Sequence, residues 1–295
     1  MSDYKLVEVK TEDLHRPSIE VARNNMESYS MAFVYDTGLQ GSGTLAKLDD
    51  RYGILTCQHV AKALMDSRTE KFFIPVETVE HSFWIEKKWI KVIEVPGYKT
   101  HEVAHGGRGS DLAFVELLHP ANVRSLKVRK SFYDLNRIAQ EGLTLGPSPE
   151  GKLPGVLIGG WPDELSGERE SVRGNGPVLE AIMMTAPAFV RQYFEKEGFD
   201  YALIDIASGP GGELPPEDFG GVSGGGVWIP VVVTDVPGGT PMTEEARGEL
   251  VGVVWYQSDH MGDRRQLVVH GPRSITGAMR DAIRASGCDG GPQDG

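Results

Sequence analysis

Three residues whose side chains can together perform acyl transfer lie far apart in this sequence: His59, Asp111 and Ser223. A serine hydroxyl is a weak nucleophile until a base removes its proton, and an imidazole can do so near neutral pH. A carboxylate can orient that imidazole and stabilise its cation. Each of these residues alone is more often structural, so the segments around them decide the interpretation.

Ser223 lies in the glycine-rich segment 220–228, which reads GGVSGGGVW and leads directly into an apolar run. Glycine permits backbone angles that are closed to other residues, and it allows a close approach to a ligand. Such a loop can direct amide N–H groups toward one point beside a hydroxyl, which is the arrangement that stabilises an oxyanion. The alternative interpretation of the segment is a flexible surface turn.

The elements that would position these residues are predicted to be strands. Short apolar runs separated by Gly and Asp turns recur along the chain; His59 follows one such run, and Asp111 begins another. Many short strands with turns between them favour a barrel or sandwich over alternating strands and helices.

Three helices are predicted among the strands. One lies near residues 17–27, one covers 186–197, and the clearest covers 274–285. Apolar residues four apart line one face of the last helix, Ser274 can cap its start, and Gly287 follows its end.

Composition limits the class of protein and its partners. The chain has 295 residues, of which 40% are hydrophobic and 24% charged, and its formal net charge is −12. These values are typical of globular proteins and argue against a nucleic-acid backbone or an anionic membrane as the main partner. No apolar run approaches the ~20 residues of a membrane span, and the first residues lack an apolar signal core. The only two cysteines, Cys57 and Cys288, are too few for a disulfide framework and predict a reducing cytoplasm.

Four segments resemble those of chymotrypsin/trypsin-like serine proteases, and they occur in the family's order. Residues 41–60, GSGTL…GILTCQHV, are similar to the hairpin that delivers the base histidine, and 111–117, DLAFVEL, to the strand that begins with the aspartate. Residues 221–225, GVSGG, resemble the nucleophile loop, and 250–255, LVGVVW, the strand at the substrate edge. The matches lie within residues 30–271. The family's disulfides are absent, as in its intracellular bacterial relatives.

The resemblance implies an all-β fold of two packed six-stranded antiparallel β-barrels with a C-terminal helix. It assigns residues 1–29 to an N-terminal arm, 30–135 to a first barrel with the histidine and aspartate, and 136–273 to a second barrel with the serine. It assigns 274–286 to the helix and 287–295 to a disordered tail.

The activity implied by the resemblance is that of a serine endopeptidase that works through an acyl-enzyme and needs no cofactor or metal. Ser223 would be the nucleophile, His59 the general base and then acid, and Asp111 the residue that orients it. The N–H groups of Gly221 and Ser223 would form the oxyanion hole. Val222 stands where digestive members carry an aspartate that pairs with a newly cut N-terminus. Activation by that ion pair is therefore not expected, and any regulation would come through the N-terminal arm, the inserts or a regulatory protein partner.

The substrate pocket is less well defined by the sequence. Glu217 lies six residues before Ser223, where trypsin-like members place the acid at the base of the primary pocket. Glu217 or Asp218 would then favour Arg or Lys in the substrate, whereas the alternative is an exposed acidic loop. Val253 and Trp255 are expected at the substrate edge. The predicted partner is a protein or peptide, and neither nucleic acid nor membrane is expected.

Three other functions stay open at this point. Residues 101–105, HEVAH, match a motif in which two histidines bind zinc and a glutamate acts as base, although nearby glycines and a proline leave barely two helical turns. Residues 221–225 also fit the nucleophile elbow of α/β-hydrolases, which leads into a helix, but here a strand-like run follows. The third alternative is an inactive protease fold that serves as a binding module. The histidines outside these motifs are interpreted as surface residues: His15, His81, His119, His260 and His270.

Overall fold

The computed structural model describes most of the chain, and strands predominate in it. The described segments are 5–8, 17–35, 38–75, 82–96, 110–170, 177–180, 182–207, 216–234, 245–257 and 266–287. Within these segments no helix combines the length and the apolar character needed to cross a membrane. The predicted tail lies outside them, apart from Gly287.

The described residues form strands β1 to β17 and helices α1 to α6. The strands are β1 (Lys5–Glu8), β2 (Ser30–Tyr35), β3 (Gly38–Leu48), β4 (Arg51–Thr56), β5 (Lys71–Pro75), β6 (Ser82–Glu86), β7 (Ile90–Glu94), β8 (Ala113–Leu117), β9 (Tyr133–Asp134), β10 (Gly155–Gly160), β11 (Gly167–Glu170), β12 (Pro177–Glu180), β13 (Met184–Lys196), β14 (Phe199–Ile206), β15 (Gly226–Thr234), β16 (Glu245–Gln257) and β17 (Gln266–His270). The helices are α1 (Pro17–Tyr29), α2 (Gln58–Asp66), α3 (Pro120–Lys127), α4 (Leu135–Glu141), α5 (Pro272–Ser274) and α6 (Arg280–Ala285), with a π-helical segment (Ile275–Met279) between the last two.

Strands β2 to β9 form the first sheet, whose connections carry His59 and Asp111. The hydrogen-bonded order is β6-β5-β2-β3-β4-β8-β7, and β9 pairs in parallel with β3. Within the described residues the edge strands β6 and β7 are not paired with each other, so this sheet is a curled half-barrel. The first of the two predicted barrels is therefore open.

The second sheet closes on itself and carries Ser223 just before β15. Its order is β15-β10-β13-β14-β17-β16, and β15 also pairs with β16, which completes a six-stranded antiparallel barrel. Strand β1 adds to β15 outside this ring, while β11 and β12 form a separate two-stranded hairpin. The predicted all-β architecture with a C-terminal helix is confirmed. Strands β2 to β9 lie before residue 135 and β10 to β17 after it, although the division into domains stays a prediction.

The helix predicted over residues 186–197 is wrong, because this stretch belongs to strand β13. Strand β13 pairs with β10 from Met184 to Phe189 and with β14 from Ala188 to Lys196. Its exposed outer half, RQYFEK, carries charged residues at a spacing that suited a surface helix. Pairing with two neighbouring strands overrides that local preference, since strand propensity depends on tertiary context.

The N-terminal helix α1 confirms the helix predicted near residues 17–27 and is packed into the protein. Ala22 and Met26 are fully buried, and the helix packs against β16. The buried Lys130 ammonium donates to the carbonyl oxygen of Glu27 at 2.9 Å. This contact satisfies one of the carbonyls that every helix leaves unpaired at its C-terminal end.

Aromatic rings and a buried carboxylate join the two sheets along a common seam. Tyr29 stacks on Trp228 of β15 with 5.6 Å between ring centroids, and Tyr133 of β9 meets the same indole edge-on. The hydroxyl of Tyr133 donates to Glu249 of β16 at 2.6 Å, and Arg137 forms an ion pair with this carboxylate. A buried charge that has these partners fixes the relative position of the two sheets, since loss of one partner would leave it unpaired.

The C-terminal helix begins at Pro272, two residues before the predicted cap. The side chain of Ser274 does not cap it but bonds to Asp200 Oδ1 at 2.7 Å, and this buried carboxylate accepts the N–H of Ser274 at 2.6 Å. Asp200 of β14 therefore supplies the negative charge and the acceptor that a helix N-terminus favours. At the other end the Arg51 guanidinium of β4 donates to the Ile283 carbonyl oxygen, which ties the helix to the first sheet.

Candidate active site

His59 and Asp111 meet because two neighbouring strands place them side by side. Strands β4 and β8 are antiparallel, with Thr56 opposite Ala113. The residues just after β4 therefore lie opposite those just before β8. Helix α2 starts at Gln58, so His59 lies in its first turn, directly after β4.

Two hydrogen bonds join the side chain of Asp111 to His59. The backbone N–H of His59 donates to Oδ1 at 2.9 Å, and Nδ1 of the imidazole contacts Oδ2. An ionised carboxylate only accepts, so Nδ1 carries the proton and Nε2 keeps its lone pair. The carboxylate is fully buried, whereas the imidazole side chain is 40% exposed.

The glycine loop leaves two backbone N–H groups without an acceptor among the described residues. From Phe219 to Gly225, five N–H groups donate to Gln257, Asp218, Phe219, Val254 and Val222. The two that do not are those of Gly221 and Ser223. These are the two donors that the resemblance assigns to an oxyanion hole.

The hydroxyl of Ser223 donates to the carbonyl oxygen of Trp255 at 3.1 Å. Among the described residues it makes no hydrogen bond to His59 Nε2. The same carbonyl lies 3.9 Å from the sulfur of Cys57, two residues before His59. The structure thus brings the serine and the His59–Asp111 pair to one seam, with the hydroxyl bonded to a neighbouring acceptor instead of the imidazole.

Ser42 of β3 connects the loop to the first sheet, a role that sequence reasoning did not assign to it. Its N–H donates to the Ser223 carbonyl at 2.9 Å, and its hydroxyl donates to the Gly221 carbonyl at 2.7 Å. Both peptide carbonyls next to the predicted oxyanion donors are therefore held in place. The only sequence signal was the position of Ser42 between two glycines in a strand.

Gly224 is required by both its backbone angle and its surroundings. Its φ is +89°, and a Cβ there would lie 2.1 Å from the Ser42 carbonyl oxygen and 2.1 Å from Thr56 Oγ1. We expect Gly224→Ala to lower the free energy of unfolding by about 3 kcal/mol or more, since strain and overpacking add.

Gly142 offers a matched control for that prediction. Its φ is +65°, but nothing lies within 4 Å of a Cβ placed on it, so Gly142→Ala should cost only about 1 kcal/mol. Urea unfolding of both variants separates the cost of the positive φ from the cost of the steric overlap at Gly224. Equal losses would show that the close approach to Ser42 does not exist.

Cys57 completes a group of three potential metal ligands with His59 and Asp111, whose ligand atoms lie within 4.8 Å of one another. Burial, and secondarily the charge of Asp111, raises the pKa of the Cys57 thiol well above its usual value. The protonated thiol donates to the Val254 carbonyl oxygen at 3.0 Å. A protonated, buried thiol is neither a good nucleophile nor a metal ligand. The zinc motif at 101–105 lies outside the described residues.

The predicted substrate residues fall into two groups. Glu217 and Asp218 are exposed, and their backbone N–H groups donate to the Glu164 carboxylate at 2.7 and 2.9 Å. The side chains of Val253 and Trp255 are buried, and Val253 pairs with both β15 and β17. The preference for Arg or Lys stays a prediction.

His270 is fully buried, and its interpretation as a surface residue is wrong. It ends strand β17, where the apolar run LVV before it indicates a core position. Removal from water lowers the pKa of His270 from 6.5 to about 4, and the charge of Asp111 opposes this shift. The ring is therefore neutral at physiological pH.

The buried ring predicts a pH dependence of stability. An unfolded histidine has a pKa near 6.5, so between pH 6.5 and about 4 the unfolded chain binds a proton that the folded chain does not. The free energy of unfolding should therefore fall as the pH is lowered through this window, by up to about 3 kcal/mol from His270. Urea unfolding of wild type and His270→Gln at several pH values measures it. Parallel curves for the two proteins would contradict the assignment.

Comparison with known proteins does not assign a family. No family model and no curated protein matches this sequence. Solved structures do match; one is described by the words "Aromatic interactions drive the coupled folding and binding of the intrinsically disordered Sesbania mosaic virus VPg protein". It has a TM-score of 0.42 and 11% identity, and the match covers 93% of this chain and 95% of that chain. A likeness this low carries no argument, so the site is judged on its own geometry.

Proposed function

We propose that this protein is a serine endopeptidase that cleaves peptide bonds through an acyl-enzyme on Ser223. The observation that carries the proposal is the convergence at one seam: a histidine bonded to a buried carboxylate lies near a serine whose loop holds two N–H groups without an acceptor among the described residues. Acyl transfer needs these three components together: a base, a nucleophile and oxyanion donors.

The reaction begins when the Ser223 hydroxyl turns from the Trp255 carbonyl to His59 Nε2. The imidazole takes the proton as Ser223 Oγ attacks the substrate carbonyl carbon, and Asp111 stabilises the imidazolium. The N–H groups of Gly221 and Ser223 donate to the oxyanion of the tetrahedral intermediate. Each such donor is worth about 3–4 kcal/mol of transition-state stabilisation in comparable sites. His59 then protonates the leaving amine. In the second half of the reaction His59 takes a proton from water, which attacks the acyl-enzyme, and then returns the proton to Ser223 Oγ as the acid product leaves.

The substrate is proposed to be a protein or peptide, with a preference for Arg or Lys through Glu217 or Asp218. Both carboxylates are exposed in the loop that precedes the nucleophile. We place the activity in a reducing compartment such as the cytoplasm, since Cys57 is a buried free thiol. Control of the activity is proposed to come from a protein partner.

Labelling with an alkyl fluorophosphonate tests this function. The purified chain should acquire one covalent adduct, located on Ser223 by mass spectrometry of its peptides, and a chelator should leave both labelling and peptide hydrolysis unchanged. Activity that a chelator abolishes would favour the zinc motif at 101–105. Absence of labelling and hydrolysis would favour an inactive fold that binds a partner.

A further inference from the structure

His270 of the second barrel reaches across the seam to Asp111 of the first sheet. The ring is fully buried and stacks on Trp255, with 5.1 Å between centroids and 27° between planes. Tyr201 and Phe199 complete the aromatic surroundings at 5.0 and 6.4 Å. The imidazole therefore contacts the residue whose carbonyl holds the Ser223 hydroxyl, and it lies beside the residue that orients His59.

One hydrogen bond fixes the tautomer of this ring. The backbone N–H of Asp111 donates to Nε2 of His270 at 3.4 Å, so Nε2 carries a lone pair and Nδ1 carries the proton. Nδ1 is buried and has no partner among the described residues. An unpaired buried donor is costly, and a phenylalanine would pack there without that cost. The compensating contribution of the imidazole is the acceptor that it offers to Asp111.

We infer that His270 is a positioning residue for the proposed serine, histidine and aspartate. Its Nε2 holds the peptide N–H of Asp111, and its ring holds the indole of Trp255 by stacking. The contact with the Asp111 N–H positions the Asp111 carboxylate, which orients His59. The contact with the Trp255 ring positions the Trp255 carbonyl, which accepts the Ser223 hydroxyl. The inference rests on the proposed function and adds a residue of the second barrel to a pair formed within the first sheet.

The position of Asp111 in the chain makes its backbone depend on the hydrogen bond to His270. The residue precedes β8, so its own peptide takes no part in the pairings of that strand. Among the described residues its carbonyl oxygen accepts one backbone hydrogen bond, from the Gln58 N–H at 3.3 Å. Loss of the bond to His270 would leave a buried N–H unpaired and allow the carboxylate to shift. Shifts near 1 Å in a catalytic group cost about 10²-fold in rate in the most sensitive cases.

Two substitutions of His270 distinguish the effect of its hydrogen-bond acceptor from the effect of its aromatic ring. His270→Phe keeps an aromatic ring against Trp255 but removes the acceptor, whereas the side-chain oxygen of His270→Gln can replace Nε2. We expect the rate of fluorophosphonate labelling at Ser223 to fall about tenfold in His270→Phe and to stay within about threefold of wild type in His270→Gln. Phe199→Leu, which alters the same aromatic cluster without touching Asp111, should also stay within about threefold.

Proton NMR of His59 provides a readout that does not depend on turnover. The Nδ1 proton between His59 and Asp111 should give a far-downfield resonance in wild type and His270→Gln, and this resonance should shift or broaden in His270→Phe. Equal labelling rates and equal spectra for all three proteins would overturn the inference. So would a His270→Gln protein as impaired as His270→Phe, because packing alone would then explain the effect.

A measurement on the wild-type chain covers the case in which a variant does not fold. Nitrogen-15 NMR of labelled histidine should show His270 with a protonated Nδ1 and an unprotonated Nε2. The opposite tautomer would overturn the inference. If wild type is not labelled at all, the proposed function fails, but the His59 resonance and the tautomer still test the contact between His270 and Asp111.

Discussion

Replacement of Ser223 by alanine is expected to lower peptide hydrolysis about 10⁶-fold, because no other hydroxyl occupies the position of the nucleophile. The fold should persist, since the hydroxyl of Ser223 donates only to the Trp255 carbonyl among the described residues. Loss of one such bond costs about 1 kcal/mol. The measurement is the steady-state cleavage of a fluorogenic peptide mixture, together with urea unfolding of both proteins.

Ser67→Ala is the matched control for this prediction. Its hydroxyl also donates to a backbone carbonyl, that of Leu64 at 2.8 Å, but it lies at the far end of α2. This variant should hydrolyse peptides at the wild-type rate. If Ser223→Ala retained full turnover, Ser223 would not be the nucleophile.

Asp111→Asn is expected to lower kcat about 10⁴-fold while the chain stays folded. Asparagine still accepts the N–H of His59 that now bonds to Oδ1. Its amide group would, however, donate to His59 Nδ1 and move the ring proton to Nε2, so that the imidazole has no lone pair for the Ser223 hydroxyl. The measurement is the same peptide assay, extended to the fluorophosphonate labelling rate.

Asp134→Asn controls for the change from a carboxylate to an amide. Asp134 caps α4 by accepting the N–H of Asn136 at 3.0 Å, and asparagine caps helices as well as aspartate does. The Asp134→Asn protein should hydrolyse peptides at the wild-type rate. An Asp111→Asn protein that stayed within about tenfold of wild type would remove Asp111 from the mechanism.

Candidate site residues could be proposed from local sequence patterns, whereas the contacts around them could not. His59, Asp111 and Ser223 lie beside short apolar runs with Gly and Asp turns, and such patterns are local. The hydrogen bonds of the Ser223 hydroxyl and of Ser42 could not be predicted in this way, because their acceptors are backbone carbonyls and every residue type has one. The acceptor on Trp255 therefore had no signal in the sequence.

The errors in the fold came from elements whose conformation is set by distant partners. The stretch 186–197 forms a strand because β10 and β14 pair with it, not because of its own composition. Asp200 replaces Ser274 at the start of the C-terminal helix because β14 delivers a buried carboxylate there. His270 is fully buried although histidine is more often partly exposed, and the apolar run before it indicates that burial.

A crystal structure of the phosphonylated chain tests the central claim most directly. We expect phosphorus bonded to Ser223 Oγ, a phosphonyl oxygen that accepts hydrogen bonds from the N–H groups of Gly221 and Ser223, and His59 Nε2 within hydrogen-bond distance of the adduct. The hydrogen bond between His59 and Asp111 should be retained. An unmodified Ser223 whose hydroxyl still donates to the Trp255 carbonyl, with the phosphonate on another residue, would show that Ser223 is not the nucleophile.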